Sequence, residues 1–288
     1  MQSMACLNGE LMPTEEAKIP VWDRGFLFGD AVYEVLRIYR GRPWLEREHF
    51  DRLGRSLNAL EFEPIAMGPL AERCRKTLKA SRIQEGTLYI QITRGVAPRA
   101  HAFPDPPVSP TELIVARPYD DGPTAKLRER GAATISHPDI RWKRCDIKTT
   151  NLLGNILALQ AAKRAGAMEA ILFDSDNLVT EATHSSVMWV KNGRLSGTPE
   201  GHELLPGLTR RFAETFDEAK AHSYEPSRIS LEELRTAEEV ILLGTTIEVL
   251  PVISLDGRPI GSGEPGPICR LLQDTYRRDL AEWLAASS

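Results

Sequence analysis

Lys148 is the residue of this chain with the clearest capacity for covalent chemistry. It lies in residues 146–151, which read DIKTTN, directly after an isoleucine and before a polar cluster that leads into an apolar helix. A lysine in partly apolar surroundings has a lowered pKa, and its neutral amine can attack a carbonyl carbon to form a Schiff base. The same spacing also fits a surface lysine at the entrance of a helix, so the segment alone leaves both interpretations open.

Glu181 is a candidate partner for a ring nitrogen. It follows Thr180, just after a predicted turn at Asp176 and Asn177. A carboxylate that keeps a pyridine nitrogen protonated makes the ring a better electron sink. A glutamate on an edge strand would explain the same pattern without any chemistry.

Three features could bind a phosphate group. Residues 205–209 read LPGLT and enter a helix, whose first N–H groups attract anions. Gly244 and Thr245 follow an apolar strand, and small residues there allow close backbone approach. Arg52 lies on the polar side of a predicted helix. Each feature also has a purely structural explanation. Residues 205–209 could be a helix cap, Gly244 and Thr245 a turn, and Arg52 part of a solvated ion pair.

A proline-rich loop carries the third chemical signal. Arg99 and His101 alternate within it, so an extended backbone would place both side chains on the same side. Two such donors form a clamp for a carboxylate. A solvated loop without a ligand is the alternative.

Hydrophobic periodicity predicts the elements that must position these residues. Residues 32–39 are rich in β-branched and aromatic side chains and predict a strand, as do the alternating residues 87–93. Apolar residues at helical spacing predict helices near 46–60 and over 266–285. Strands interleave with helices and hairpins, which predicts mixed and largely antiparallel sheets in an α+β or mixed α/β fold.

The turn-forming sequence at residues 118–124 predicts a linker between two domains. Residues 1–117 would form a smaller α/β domain. Residues 125–288 would form a larger α/β domain that carries Lys148.

Composition excludes several classes of protein. The 288 residues carry a net charge of −4, which argues against a nucleic-acid or anionic-membrane partner. No stretch approaches the roughly 18 apolar residues of a membrane span, and the N-terminus has no targeting signal, so we expect a cytoplasmic protein. The four cysteines lack CxxC spacing, and we expect no metal site.

Considered together, the motifs resemble one family. The segments that carry the resemblance are residues 23–34 (DRGFLFGDAVYE), 49–53 (HFDRL), 144–154 around Lys148, 180–181, 206–210 (PGLTR) and 244–248 (GTTIE). Their order resembles that of the class IV, fold type IV, pyridoxal 5'-phosphate (PLP) aminotransferases over nearly the whole chain. Residues 94–101 (RGVAPRAH) and 139–148 are most similar to the D-amino-acid aminotransferase branch.

The resemblance implies a role for each candidate. Lys148 would form the Schiff base with PLP and later move the proton at the substrate Cα, and Glu181 would contact the pyridine nitrogen. The remaining cofactor-binding residues that it implies are Arg52, Leu205, Leu208, Thr209, Gly244 and Thr245.

The resemblance also implies the substrates and the assembly. Tyr33, Arg99 and His101 would hold the carboxylate of a D-amino acid, whose amino group goes to a 2-keto acid such as 2-oxoglutarate or pyruvate. Arg99 and His101 would come from the neighbouring subunit of a homodimer, so that both subunits share each active site.

Residues 182–186 depart from the family pattern, because they read ATHSS where the family has glycine, small residues, serine and asparagine. His184 could therefore enter the substrate pocket or point to solvent. Other class IV activities remain open: branched-chain aminotransferase, (R)-amine transaminase and aminodeoxychorismate lyase. A non-catalytic binding protein on the same fold is the alternative outside enzymes.

Overall fold

The computed structural model describes residues 3–217, 219 and 224–286 and has the mixed α/β architecture expected from the sequence. The chain divides into two compact units. The first comprises Met1–Asp120 with Ile147–Asn151, and the second comprises Asp121–Asp146 with Leu152–Ser288.

The first unit contains a six-stranded sheet in the order β2-β1-β6-β5-β3-β4, in which every neighbouring pair is antiparallel. Its strands are β1 (Met4–Leu7), β2 (Glu10–Pro13), β3 (Ala31–Tyr39), β4 (Arg42–Pro43), β5 (Gly86–Thr93) and β6 (Thr111–Pro118). Asn8 and Gly9 join β1 to β2 with positive φ angles of 50° and 92°. An Asn-Gly pair suits such a turn, because both residues tolerate this backbone conformation.

Two helices, α2 (Glu46–Ala59) and α3 (Met67–Ser81), cover one face of this sheet. The unit also contains the short helix α1 (Arg24–Phe28) and a 3₁₀ turn over Thr14–Glu16. Leu53 and Leu57 on α2 and Leu70 and Leu78 on α3 are buried in one apolar cluster with the sheet. This spacing of three to four residues forms the apolar stripe of a surface helix.

The lysine segment packs with the first unit, which differs from the predicted assignment of Lys148 to the second domain. Ile147 is buried in the apolar cluster of the first unit. Thr149 forms a β-bridge with Val32, and the N–H of Tyr33 donates to the carbonyl of Lys148 at 2.9 Å. Residues distant in sequence supply these contacts, so the local pattern could not reveal them.

The second unit contains an eight-stranded sheet in the order β11-β10-β12-β13-β7-β8-β9, with β14 paired to β13. Its strands are β7 (Ala132–Pro138), β8 (Glu169–Phe173), β9 (Val179–Ala182), β10 (Ser186–Lys191), β11 (Arg194–Gly197), β12 (Glu239–Gly244), β13 (Glu248–Leu255) and β14 (Arg258–Pro259). β7 runs parallel to β8 and β13, and the other pairs are antiparallel. A long crossover joins β7 to β8, as parallel neighbours require.

Among the described residues, the second unit has the helices α4 (Gly122–Arg130), α5 (Leu153–Arg164), α6 (Leu208–Glu214), α7 (Leu231–Leu234) and α8 (Pro267–Ala285). β6 continues to Pro118 and α4 begins at Gly122, so the irregular stretch is shorter than the predicted linker. Gly266 caps α8, which starts one residue later than predicted, with proline at its first position. Within residues 3–217, 219 and 224–286, none of the helices has the length and apolar character that a membrane crossing requires.

Candidate active site

Lys148 is fixed at its backbone and lies against an aromatic ring. Its N–H donates to Ser56 Oγ at 3.1 Å, and its carbonyl accepts from Tyr33. Its Nζ lies 4.4 Å from the centroid of the Tyr33 ring. The first unit thus brings together two of the predicted site residues, the lysine amine and the tyrosine. Lys148 is only partly buried.

Tyr89 and Gln91 extend the half-buried face of the sheet beside Tyr33. The rings of Tyr33 and Tyr89 stack with centroids 5.7 Å apart, and the Tyr89 hydroxyl donates to Gln91 Oε1. Burial, together with Tyr33, raises the pKa of Tyr89 to about 12, so its hydroxyl keeps its proton at neutral pH. The sequence contained the signal for these residues, because they form the polar face of the alternating strand over 87–93.

Arg52 binds a carboxylate of its own unit. Its Nε donates to Glu34 Oε1 at 2.7 Å and one Nη donates to Oε2 at 2.9 Å, while His49 Nδ1 lies 2.7 Å from Oε2. Burial opposes ionisation of Glu34, but Arg52 and His49 outweigh it and hold its pKa well below the ordinary value. Burial lowers the pKa of His49, with Glu34 opposing. A role of Arg52 at a phosphate remains a prediction.

Arg99 and His101 both contact the ring of Phe28. The Arg99 guanidinium carbon lies 5.3 Å from the ring centroid, and the His101 ring lies 5.7 Å from it at an angle of 55°. The structure thus brings the two side chains together, but not by the extended backbone assumed from the sequence. The loop bends at both residues. The side chains of Arg99 and His101 are both exposed, so they can bind a carboxylate of another molecule.

In the second unit, Glu181 is buried and ion-paired. Its Oε1 accepts from an Nη of Arg141 and from the N–H of Leu205, the latter at 3.3 Å. Burial raises the pKa of Glu181, and the Arg141 charge opposes that rise. Arg141 therefore favours the ionised carboxylate, which is the form that could hold a protonated ring nitrogen.

Arg141 was not among the residues predicted from the sequence. Asp139 binds it in a bidentate pair with distances of 2.9 and 2.6 Å, and Thr180 Oγ1 donates to the same carboxylate at 2.8 Å. A Cβ on Gly154 would lie only 3.0 Å from Arg141, so the start of α5 packs closely against it. The local Asp-x-Arg spacing gave a signal for this pair, but the contact with Glu181 joins distant segments.

The segments that carry the remaining predicted residues of this unit lie close to Ser185 and Ser186, at the start of β10. A Cβ on Gly207 would lie 2.2 Å from Ser186 Oγ, and one on Gly244 would lie 3.6 Å from the Ser185 Cβ. A side chain at position 207, the N-cap of α6, would require the Ser186 hydroxyl to move. Leu208 and Thr209 are the first two residues of α6, and Thr245 directly follows Gly244 at the end of β12.

This donor set fits a phosphorylated pyridine. The buried carboxylate of Glu181 could accept a hydrogen bond from a protonated ring nitrogen. The N–H of Leu205 donates to the same carboxylate. Among the described residues, no side chain caps the start of α6, which leaves its N–H groups to face an anion. In the first unit, considered by itself, Lys148 offers an amine that can react with a carbonyl group.

His184 pairs with a buried carboxylate. Its Nδ1 lies 2.8 Å from Glu169 Oε2, and the hydroxyls of Thr183 and Ser185 donate to the same carboxylate. The His184 side chain is about half exposed, at 45%. The structure therefore ties residues 183–185 to β8, and a role of His184 at the substrate remains a prediction.

The fold and these side chains define a class of enzyme that uses PLP. A family profile described as amino-transferase class IV matches residues 31–255, and the chain belongs to this family. It is a PLP-dependent aminotransferase, as the sequence predicted.

Proteins of similar sequence support this family assignment. The chain is 39% identical over 277 residues to a D-alanine aminotransferase of Staphylococcus haemolyticus, covering 94% of this chain and 96% of that protein. It is 36% identical over 274 residues to a D-alanine aminotransferase of Bacillus licheniformis, covering 95% of each.

Solved structures of branched-chain amino acid aminotransferases share the fold. The enzyme from Escherichia coli has a TM-score of 0.88 at 27% identity, covering 96% of this chain and 94% of that chain. The enzyme from Thermoproteus uzoniensis with norvaline has a TM-score of 0.83 at 26% identity, covering 96% and 94%. A further enzyme of this name, solved with pyridoxamine 5'-phosphate, has a TM-score of 0.88 at 26% identity, covering 96% and 93%. The fold type IV architecture predicted from the sequence is thereby confirmed.

Proposed function

We propose that this protein transfers the amino group of a D-amino acid to a 2-keto acid. The observation that carries the proposal is the pair Arg99 and His101, held on the ring of Phe28 as a clamp for a carboxylate. The D-alanine aminotransferases at 36–39% identity support it over nearly the whole chain.

Lys148 is the residue that binds the cofactor covalently and moves the proton at the substrate Cα. PLP, when bound, supplies an electron sink for the charge that develops at that carbon. Glu181, whose ionised form Arg141 favours, would hold the proton at the pyridine nitrogen. Tyr33 stands beside the lysine amine and orients it.

Residues of the second unit would hold other parts of the cofactor. The N–H groups of Leu208 and Thr209, at the start of α6, and Gly244 with Thr245, at the end of β12, would bind its phosphate. Leu205 would contact its ring. The part of Arg52 in phosphate binding is also proposed, and in the structure its guanidinium is ion-paired with Glu34.

The enzyme works as a homodimer in which the neighbouring subunit donates Arg99 and His101. Exposed apolar side chains near the clamp loop support this assembly. They are Val21, Trp22, Phe26, Val96 and Phe103. Large apolar side chains left exposed in one region of a protein are typical of an interaction site. The cytoplasmic location predicted from the sequence is part of the proposal.

Geometry selects the enantiomer. The clamp fixes the carboxylate, and Lys148 takes the Cα proton from one fixed side. Only one enantiomer can present its hydrogen to the lysine while its carboxylate contacts the clamp. A charge-assisted hydrogen bond contributes about 1.5–3 kcal/mol, so its loss weakens substrate binding strongly.

The test compares D-alanine, L-alanine and an (R)-amine as donors, with pyruvate and 2-oxoglutarate as acceptors. We expect D-alanine to be preferred and Arg99→Ala to lower kcat/KM for it by about ten- to a hundredfold. The (R)-amine lacks a carboxylate and should lose much less. A preference for L-alanine, or equal losses on both donors, would reject the assignment.

Branched-chain aminotransferase activity is the second candidate, because the solved structures with TM-scores of 0.88 belong to enzymes of that name. L-leucine and L-valine in the same panel distinguish it. Turnover of these donors ahead of D-alanine would favour this activity.

A further inference from the structure

Arg24 is a buried arginine that binds the backbone of the clamp loop. Its side chain is 4% exposed. One Nη donates to the carbonyls of Ala100 at 2.7 Å and Ala102 at 3.2 Å, and the other donates to the carbonyl of His101 at 3.3 Å. Three successive carbonyls therefore converge on one guanidinium.

This convergence constrains the loop. Successive carbonyls of an extended strand point to opposite sides, so three on one donor group require a bent backbone. Residues 98–103 are exposed and form neither helix nor strand. The planar guanidinium beneath them offers several N–H donors in a fixed geometry, which a lysine cannot reproduce.

Asp30 orients Arg24 and joins it to a second arginine. Its Oδ2 accepts from Nε of Arg24 at 2.8 Å and from Nε of Arg94 at 2.9 Å. Arg94 also donates to the carbonyl of Leu60 at 2.6 Å, and its guanidinium carbon lies 3.6 Å from the Phe103 ring centroid. The clamp loop is thus anchored at 100–102 by Arg24 and at Phe103 by Arg94.

Phe28 links the anchor to the clamp side chains. It lies one helical turn after Arg24 in α1, and the Arg24 guanidinium carbon lies 4.9 Å from its ring centroid. The same ring contacts Arg99 and His101. Arg24 therefore fixes both the backbone of the clamp and the ring on which its side chains rest.

We propose that Arg24 is a positioning residue for the substrate carboxylate, acting through the directions of Arg99 and His101. This inference rests on the proposed function, because it assigns the clamp to the substrate. It predicts that Arg24 sets the affinity for carboxylate substrates without contacting them.

Arg37 provides a matched control in the same unit. Its side chain is 2% exposed, and it donates to the carbonyls of Ile38 and Gly86 and to the carboxylate of Glu85. It has the same kinds of partner as Arg24, but none of them lies in the clamp loop. Arg37→Gln therefore measures the cost of losing a buried arginine alone.

The experiment is a double-mutant cycle on the holoenzyme with D-alanine as donor. We expect Arg24→Gln to raise KM at least about tenfold, and to have less than about a threefold further effect in the Arg99→Ala background. Arg37→Gln should change KM by the same factor in the wild-type and the Arg99→Ala backgrounds. The KM of Arg24→Lys should lie between the values of the wild type and of Arg24→Gln.

A second measurement follows the loop without activity. Trypsin cleavage after Arg99 should accelerate in Arg24→Gln and not in Arg37→Gln, because cleavage needs a locally mobile backbone. If Arg24→Gln does not fold, Asp30→Asn, which removes the partner that orients Arg24, replaces it in both measurements.

The outcomes separate the inference from the proposed function. If Arg99→Ala binds D-alanine normally, the clamp is wrong and the inference fails with it. If Arg99→Ala is impaired while Arg24→Gln has a normal KM, the clamp stands and the role of Arg24 is wrong. Equal losses from Arg24→Gln in both backgrounds, with unchanged trypsin cleavage, would also reject that role.

Discussion

The charge on Glu181 depends on one neighbouring residue. The carboxyl is buried, which raises its pKa, and Arg141 supplies the positive charge that opposes this rise. Asp139 in turn fixes the guanidinium with two hydrogen bonds. A single substitution at Arg141 should therefore change the protonation of a residue that it contacts, without removing that residue.

We expect Arg141→Gln to raise the pKa of Glu181 further, because burial then acts without a compensating cation. A neutral Glu181 no longer favours a protonated ring nitrogen, so kcat should fall at least about tenfold, as it should in Glu181→Gln. The absorbance spectrum of the bound cofactor, followed against pH, checks the cause. Arg144→Gln is the control, because Arg144 pairs with Asp146 at the surface in the same Arg–Asp geometry. A spectrum identical to that of wild type would show that Arg141 has only a structural role.

At the scale of elements, α2 is joined to β3 by a buried ion pair. Glu34 on β3 is fully buried, and Arg52 and His49 on α2 bind its carboxylate. Breaking such a pair by removing one partner leaves a buried charge without compensation. The same contacts hold the helix that carries Arg52, so the stability of α2 and the position of a proposed cofactor residue are coupled.

Glu34→Gln should lower the free energy of unfolding by about 3–5 kcal/mol at pH 7. Because Arg52 and His49 depress the folded-state pKa of Glu34 below its ordinary value of 4.5, its stabilisation is present above about pH 4.5 and is lost as pH falls towards the folded pKa. The difference between wild type and Glu34→Gln in urea unfolding should therefore shrink below pH 4.5. Glu72→Gln, at an exposed i,i+4 pair with Lys76, should change stability negligibly. A difference that grows at low pH would contradict this account.

Elements with a strong local pattern were predictable from the sequence, and contacts between distant segments were not. The alternating residues 87–93 lie within β5, and the predicted strand over residues 32–39 lies within β3. The position of Lys148 in the first unit was missed, because Ile147 and Thr149 contact residues of the first unit that are distant in sequence. Arg141 was missed for the same reason. The resemblance to a family supplied residue roles that no local pattern carries.

At the scale of the whole molecule, the proposed dimer divides one active site between two chains. Lys148 and Arg99 belong to the same unit of one chain, yet the proposal assigns them to different active sites. A variant lacking Lys148 still offers an intact clamp to its neighbour, and a variant lacking Arg99 still offers an intact lysine. A mixed dimer should therefore contain one complete site.

We expect co-expression of Lys148→Ala and Arg99→Ala chains, each with its own affinity tag, to restore activity towards D-alanine. Random pairing makes half of the dimers mixed and each mixed dimer has one complete site of two, so about a quarter of the wild-type rate should return. Tandem purification through both tags isolates the mixed dimer, which should reach about half. Each variant expressed alone is the control. Mixed dimers no more active than the Arg99→Ala chains would show that clamp and lysine act within one chain, because shared sites require the two defects to complement each other.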